Sequence, residues 1–140
     1  MAEFNYAGLD ELLLDMQAVA ELPDEVVIAM LDADADVTVE AQKRAGRAMG
    51  VTDSGTMLRS IQKGKPKLRK GQRVLYITPT GSRKRGEKRV RNAEIAFINE
   101  YGKKGQKARP FIRTGNETSA KEATEAALRV YDRWLRSKNL

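Results

Sequence analysis

Acidic and basic residues are segregated along this sequence. Residues 1–42 include 11 acidic side chains and no basic ones, whereas residues 43–113 include 21 basic side chains and four acidic ones. This division limits which surfaces the chain can bring together, because like charges repel one another. The acidic segment of one subunit could dock on the basic segment of a neighbour, the basic segment could face a polyanion, or both segments could be solvated faces of a monomer. The sequence leaves these arrangements open.

The chain contains neither cysteine nor histidine. The absence of cysteine excludes disulfides, thiolate metal sites and cysteine catalysis. The absence of histidine removes the usual general base near neutral pH and the commonest metal ligand. We therefore predict a protein that is not an enzyme and that uses no cofactor, metal ion or small-molecule substrate.

The N-terminal composition and the hydropathy argue against export and against a membrane location. Residues 1–22 carry five acidic side chains and no lysine or arginine, the opposite of a secretory or mitochondrial presequence. No apolar run approaches the roughly 18 residues that a membrane span needs. We expect a protein that is made in the cytoplasm and has no membrane partner.

Hydrophobic periodicity predicts the main helices. Apolar residues at three- and four-residue steps predict a short helix over residues 9–22, and Pro23 fits the first position of a second helix that Gly50 ends. Thr114 and Glu117 have the spacing of a capping box, which predicts that the last helix starts just after Thr114. Residues 93–101 fit both a helix and a strand, and we favour a short helix.

Strand-forming residues are concentrated at residues 73–78, with residues 58–63 as an antiparallel partner. Residues 63–71 and 79–92 are rich in glycine, proline and like charges, so we expect mobile basic loops there.

These elements together predict a single α+β domain over residues 1–140. Two or three main helices pack on a small antiparallel sheet that carries long basic loops. The acidic helical part covers about residues 9–49, the β and basic-loop part about 51–113, and the C-terminal helix about 115–137.

Two short motifs resemble ligand-binding loops but lack residues that those loops require. The aspartates of residues 32–36 are spaced like the start of a calcium loop, but Val37 and Lys43 stand where glycine and glutamate are needed. Residues 81–87 have the glycine spacing of a phosphate loop without its lysine. Asp53, Glu94 and Glu100 are candidates for a pair of carboxylates in acid–base catalysis, but nothing in the sequence shows that they lie near one another.

Basic residues of the central segment are the candidate contacts with DNA or with another subunit. The segment lacks the interleaved aromatic residues that stack on single strands and has no base-reading motif. Contact with a phosphate backbone and docking on an acidic protein are equally favoured. The candidate residues are Lys63, Lys65, Lys67, Arg69, Lys70, Arg83, Lys84, Arg85, Lys88 and Arg89.

Two segments together resemble one protein family. Residues 51–61 read VTDSGTMLRSI, which is similar to the signature D-(T/S)-G-x-L-x-x-S-I. Residues 96–102 (AFINEYG) and 108–112 (ARPFI) are similar to A-x-(F/Y)-(V/I)-E-(Y/F)-G followed by A-R-P-F-(L/I). This combination is that of the tail-completion, or head–tail joining (neck), proteins of long-tailed double-stranded-DNA bacteriophages. The positions to which the family pattern is carried over, with Leu58 one residue beyond the leucine position of the signature, are Asp53, Gly55, Leu58, Ser60, Ile61, Glu100, Tyr101, Gly102, Ala108, Arg109, Pro110 and Phe111.

The resemblance implies a structural virion protein that forms a ring, with sixfold symmetry favoured, around the DNA channel of the neck or tail end. Its partners would be copies of itself, neighbouring neck and tail proteins, and DNA contacted without sequence specificity. The chain departs from the pattern at residues 51–52, where proline commonly precedes the aspartate, and at Lys103, where threonine is usual. The alternative is a small basic protein that binds nucleic acid without sequence specificity.

The proline within residues 109–111 should give Phe111 a defined direction. We expect Phe111 to be buried and to hold the last helix on the domain, and Arg109 to pair with Glu100. The candidate neighbours of the phenyl ring are Tyr101, Trp134 and residues 41–48.

Overall fold

The computed structural model describes residues 22–51 and 55–138. The helix predicted over residues 9–22 lies almost wholly outside these residues, as does Asp53. The described part is an α+β fold, as predicted. Its helices are α1 (Asp24–Ala48), α2 (Thr56–Arg59), α3 (Asn92–Tyr101) and α4 (Phe111–Ser137), and its strands are β1 (Ile61–Lys63), β2 (Lys67–Arg69), β3 (Gln72–Val74), β4 (Ile77–Pro79), β5 (Ser82–Arg85) and β6 (Lys88–Arg91).

Helices α1 and α4 pack side by side in opposite directions. Their interface is the most extensive contact between two helices among the described residues. Small residues allow the close approach: a Cβ atom added to Gly115 would lie 2.7 Å from the Cα atom of Gln42. The buried residues of α1 are Val26, Ala35, Val39, Ala41, Gln42 and Gly46, and those of α4 are Phe111, Gly115, Ser119, Ala123, Ala126 and Ala127.

The bounds of α1 agree with the sequence prediction because local signals set them. Pro23 is the N-cap residue, and its carbonyl accepts hydrogen bonds from the amides of Val26 and Val27. At the other end Gly50 has a φ of +77°, a left-handed conformation that glycine adopts without steric cost.

The single strand predicted over residues 73–78 is instead two strands that belong to different sheets. β3 pairs with β2 through a two-residue turn at Lys70 and Gly71, both of which have positive φ. β4 pairs with β1, with Ile61 opposite Pro79. The two halves are separate because each has its own antiparallel partner, and the chain must leave the first ladder before it joins the second.

The stretches predicted as long basic loops contain two hairpins. The first is β2–β3, and the second is β5–β6, in which Ser82 lies opposite Arg91 and Arg85 opposite Lys88. Glycine at the first turn position of β5–β6, Gly86, has a φ of +64°. The described strands thus form three sheets of two strands each.

A hydrophobic cluster lies where the C-terminal half of α1 meets α2, β1, α3 and the start of α4. Its two most completely buried large side chains are Phe111 and Ile61. The other buried members are Val39, Val51, Met57, Leu58 and Ala96.

Helix α4 starts four residues earlier than predicted. Thr114 is not a capping residue, since its amide donates to the carbonyl of Pro110 within the helix. The predicted capping box with Glu117 is therefore wrong, and the helix receives its cap from another element.

Candidate functional site

The cap of α4 comes from Glu100, on the last turn of α3. One carboxylate oxygen accepts the amide of Ile112 at 2.8 Å, and the other accepts the amide of Arg113 at 3.0 Å. These amides belong to the first turn of α4, where they have no partner within the helix. A negative charge is also favourable at this end of the helix dipole. The two halves of the second signature segment, EYG (residues 100–102) and ARPFI (residues 108–112), are thus joined by a direct contact.

Residues 102–110 form a tight connection between the two halves. Gly102 has a φ of +79°, and a Cβ atom there would lie 2.9 Å from the amide nitrogen of Ala108. The amide of Arg109 donates to the carbonyl of Asn99 at 2.6 Å. Only glycine fits at position 102, because both the backbone angle and the close approach exclude a side chain.

The expected ion pair between Arg109 and Glu100 does not form. The Arg109 guanidinium donates instead to the carbonyl of Gly50 at 3.0 Å, just past the end of α1. Glu100 uses both carboxylate oxygens to cap α4. Arg109 therefore ties the signature to α1, and Glu100 ties it to α4.

Phe111 is 0% exposed and packs against α1. Its ring carbon Cδ2 lies 3.3 Å from the position that a Cβ atom would take at Gly46. Gly46 belongs to the expected region of residues 41–48. Tyr101 is not part of this core, since it is 69% exposed. Trp134 lies 23 residues further along α4, which is about 35 Å along the helix axis. Phe111 is thus an anchor of α4, as expected, with α1 as its neighbour.

The first signature segment, of which residues 51 and 55–61 are described, also contributes to the core. Leu58 and Ile61 are buried in the hydrophobic cluster. Gly55 has a φ of +71° at the N-cap of α2, and the Ser60 hydroxyl donates to the carbonyl of Met57 at 2.6 Å. These positions support the fold and offer no exposed reactive group.

Two basic side chains of the central segment neutralise acidic residues of α1 within the chain. The Lys63 ammonium lies 2.8 Å from a carboxylate oxygen of Asp36 and 3.6 Å from one of Asp32. The hydrogen bond to Asp36 is the main cause that raises the pKa of Lys63. Arg73 on β3 bonds to Asp24 at 2.6 Å. Part of the charge segregation is therefore balanced inside one subunit.

Other basic candidates lie on the two hairpins and in the connection before β2. The exposed residues are Lys65, Lys67, Arg69, Lys70, Lys84, Arg85, Lys88 and Arg89, and Arg83 is half-buried. The structure thus separates Lys63, which lies against α1, from the candidates on exposed surfaces.

An exposed pair of aromatic rings lies on α3, one turn apart. Phe97 is 62% exposed and Tyr101 is 69% exposed, and their ring centroids are 4.8 Å apart. Tyr101, which was expected to neighbour Phe111, belongs instead to this exposed surface, which the sequence did not predict. The spacing of four residues was the available signal, but it does not say whether such a pair faces the core or the solvent.

Two of the acidic residues considered for acid–base catalysis, Glu94 and Glu100, can be located among the described residues 22–51 and 55–138. Glu94 bonds to Arg91 at 3.0 Å and Glu100 caps α4, so these two carboxylates have separate structural partners. Across the same residues, acidic side chains do not gather in a group that could hold a metal ion. The open groove between α1, α4 and residues 75–77 contains Asp34, whose pKa is raised by burial while a hydrogen bond from Thr38 opposes the rise.

In the described ranges, every helix is too short or too polar to cross a membrane. Comparison with known protein families, curated proteins and solved structures found no match.

Proposed function

We propose that this chain is a non-enzymatic structural protein of a phage or prophage virion. It forms a ring at the neck or tail end, where it joins the tail to the head around the DNA channel. The observation that carries the proposal is the exposed aromatic pair of Phe97 and Tyr101 on α3. Rings of this size are costly to leave in water, and aromatic side chains commonly form the energetic centres of protein interfaces.

The position of the aromatic pair supports a role in assembly. Tyr101 directly follows Glu100, which caps α4, and precedes Gly102, which fixes the next turn. The pair is therefore presented on a helix whose end is held by the rest of the domain. A preorganised surface loses less conformational entropy when a partner binds. The signature residues position this surface, while Phe97 and Tyr101 contact the neighbour.

Sixfold symmetry is our first choice for the ring, because the family that the sequence resembles commonly forms sixfold neck and tail rings. Each subunit in such a ring uses two different surfaces, one that contacts the preceding subunit and one that contacts the following subunit. The charge segregation supports a second surface in residues 1–21, which carry five acidic side chains and no basic one. Other neck and tail proteins bind on the faces of the ring.

The assembly state of the purified protein tests this proposal. Light scattering over a concentration series, followed by negative-stain images, should give closed rings for the wild-type chain. The double variant Phe97→Ala/Tyr101→Ala should remain monomeric and melt at the wild-type temperature, because both rings are exposed in the subunit. Leu68→Ala removes another exposed apolar side chain, 65% exposed on β2, and is the matched control. A wild-type chain that stays monomeric, or a double variant that still forms rings, would refute the proposed contact.

The second candidate function is sequence-independent binding of nucleic acid by a free protein. The observation that favours it is the row of exposed basic residues on hairpin β5–β6. Genome context separates the candidates: portal, capsid and tail-tube genes beside the coding sequence support the virion protein, and regulatory or ribosomal genes support the free binding protein.

A further inference from the structure

Hairpin β5–β6 places like charges directly opposite one another. Lys84 lies opposite Arg89, and Arg85 lies opposite Lys88. Directly opposed residues of an antiparallel pair have Cβ atoms about 5 Å apart, and like charges at this distance destabilise the pair. The ten residues of the hairpin, 82–91, include six basic side chains and one acidic one. A polyanion that binds both strands would relieve this repulsion.

The first hairpin differs in this respect. In β2–β3, Lys67 lies opposite Val74, Leu68 opposite Arg73, and Arg69 opposite Gln72. No two like charges face one another there, although the strands carry basic residues as well. The opposed charges are thus a property of β5–β6 and not of every basic hairpin in the described part of the chain.

The base of β5–β6 is fixed to the domain. The amide of Asn92 donates to the carbonyl of Gly81 at 3.0 Å, and its side-chain nitrogen donates to the carbonyl of Thr80 at 2.8 Å. Asn92 is buried, while Lys84, Lys88 and Arg89 are exposed. The domain therefore holds the root of the hairpin and presents its charged end to solvent.

The side chains of the hairpin suit a phosphate backbone better than a protein surface. Protein interfaces depend on aromatic and apolar anchors and are depleted in lysine, whereas arginine is common both in protein interfaces and at phosphates. The hairpin has one large apolar residue, Val90, and it is half-buried. Lys63 and Arg73 contact acidic residues of α1, and Arg91 at the base of the hairpin pairs with Glu94. A two-stranded ribbon also has dimensions that a DNA groove admits.

From these observations we propose that β5–β6 binds the phosphate backbone of double-stranded DNA, with Lys84, Lys88 and Arg89 as contacts. The choice of DNA as the polyanion rests on the proposed function, in which DNA passes through the ring. Binding releases the counterions of the contacted phosphates and is independent of base sequence.

A salt titration tests the assignment. Fluorescence anisotropy of a labelled 20-base-pair duplex of arbitrary sequence gives the Kd of the full-length protein at several NaCl concentrations. Lys84→Ala/Arg89→Ala should reduce the slope of log Kd against log salt by about two, since each phosphate contact contributes about 0.9. Affinity at about 0.1 M salt should fall at least tenfold. Lys65→Ala/Lys67→Ala removes the same charge at the start of the first hairpin and should leave the slope unchanged.

Several outcomes would overturn the assignment. Equal slopes for the two double variants would mean that total charge, and not this hairpin, determines binding. Tighter binding of a peptide with the sequence of residues 9–22 than of the duplex would make acidic protein the partner. The Lys84→Ala/Arg89→Ala protein should melt at or above the wild-type temperature without DNA, because the substitution removes repulsion; a lower melting temperature would refute that repulsion. Rings that form but do not bind DNA would refute this inference and leave the proposed function intact.

Discussion

Removal of the Glu100 carboxylate should loosen the start of α4. In Glu100→Ala, the amides of Ile112 and Arg113 lose the acceptors that lie at 2.8 and 3.0 Å. Pro110, the N-cap residue, makes no side-chain hydrogen bond that could replace them. The first turn of α4 also carries Phe111, so fraying there would disturb the hydrophobic cluster.

The size of the effect follows from two comparisons. Loss of a capping side chain costs about 0.5–2 kcal/mol, and a hydrogen bond to a charged group contributes about 1.5–3 kcal/mol. Glu100 is half-buried, so water replaces part of the lost interaction. We expect Glu100→Ala to lower the free energy of unfolding by about 2 kcal/mol. For a domain of this size each kcal/mol lowers the Tm by about 3–5 °C.

Thermal and urea melts followed by circular dichroism measure this change. Glu94→Ala is the matched control on the same helix, because Glu94 pairs with Arg91 at the surface and such pairs contribute about 0–1 kcal/mol. Glu100→Gln, which keeps one acceptor oxygen but no charge, should lie between wild type and Glu100→Ala. If Glu100→Ala and Glu94→Ala melt at the same temperature, Glu100 does not hold the two halves of the signature together.

Three further substitutions test the packing and the groove. Gly115→Ala should destabilise by about 1–3 kcal/mol or more, since its Cβ would lie 2.7 Å from the backbone of Gln42; an unchanged urea midpoint would argue against close packing of α1 and α4. Phe111→Ala should cost about 3–5 kcal/mol in the same melts, and a variant that melts normally but no longer assembles would make Phe111 an interface residue. Asp34→Asn should be more stable than wild type at neutral pH, because burial raises the pKa of Asp34 and its charged form is disfavoured in the folded state. In the wild type, the contribution of Asp34 to the free energy of unfolding should fall as the pH rises from 3.8 through the raised pKa. The free energies of unfolding of the two proteins should therefore be similar in acid and differ above that pKa. Parallel pH profiles would refute this.

The end of a helix could be predicted from the sequence where the residues at that end determine it themselves. Pro23 and Gly50 delimit α1 through their own backbone preferences, and the predicted bounds agree with the structure. The α+β class and the burial of Phe111 were also predictable, the latter because a large apolar side chain after proline has few other locations in a small domain.

Boundaries that depend on distant partners were not predictable. The cap of α4 comes from Glu100, so the local capping spacing of Thr114 and Glu117 was misleading. The strand predicted over residues 73–78 divides because its two halves pair with different strands. The outward direction of Tyr101 depends on how α3 lies on the domain, which its own sequence does not specify.

We propose that the protein joins tail to head in a virion. Deletion of its coding sequence from the phage or prophage genome, followed by electron microscopy of the particles released on induction, tests this claim most directly. We expect DNA-filled heads and separate tails, with complete particles restored when the wild-type protein is supplied from a plasmid. Complete, infectious virions in the absence of the protein would contradict it.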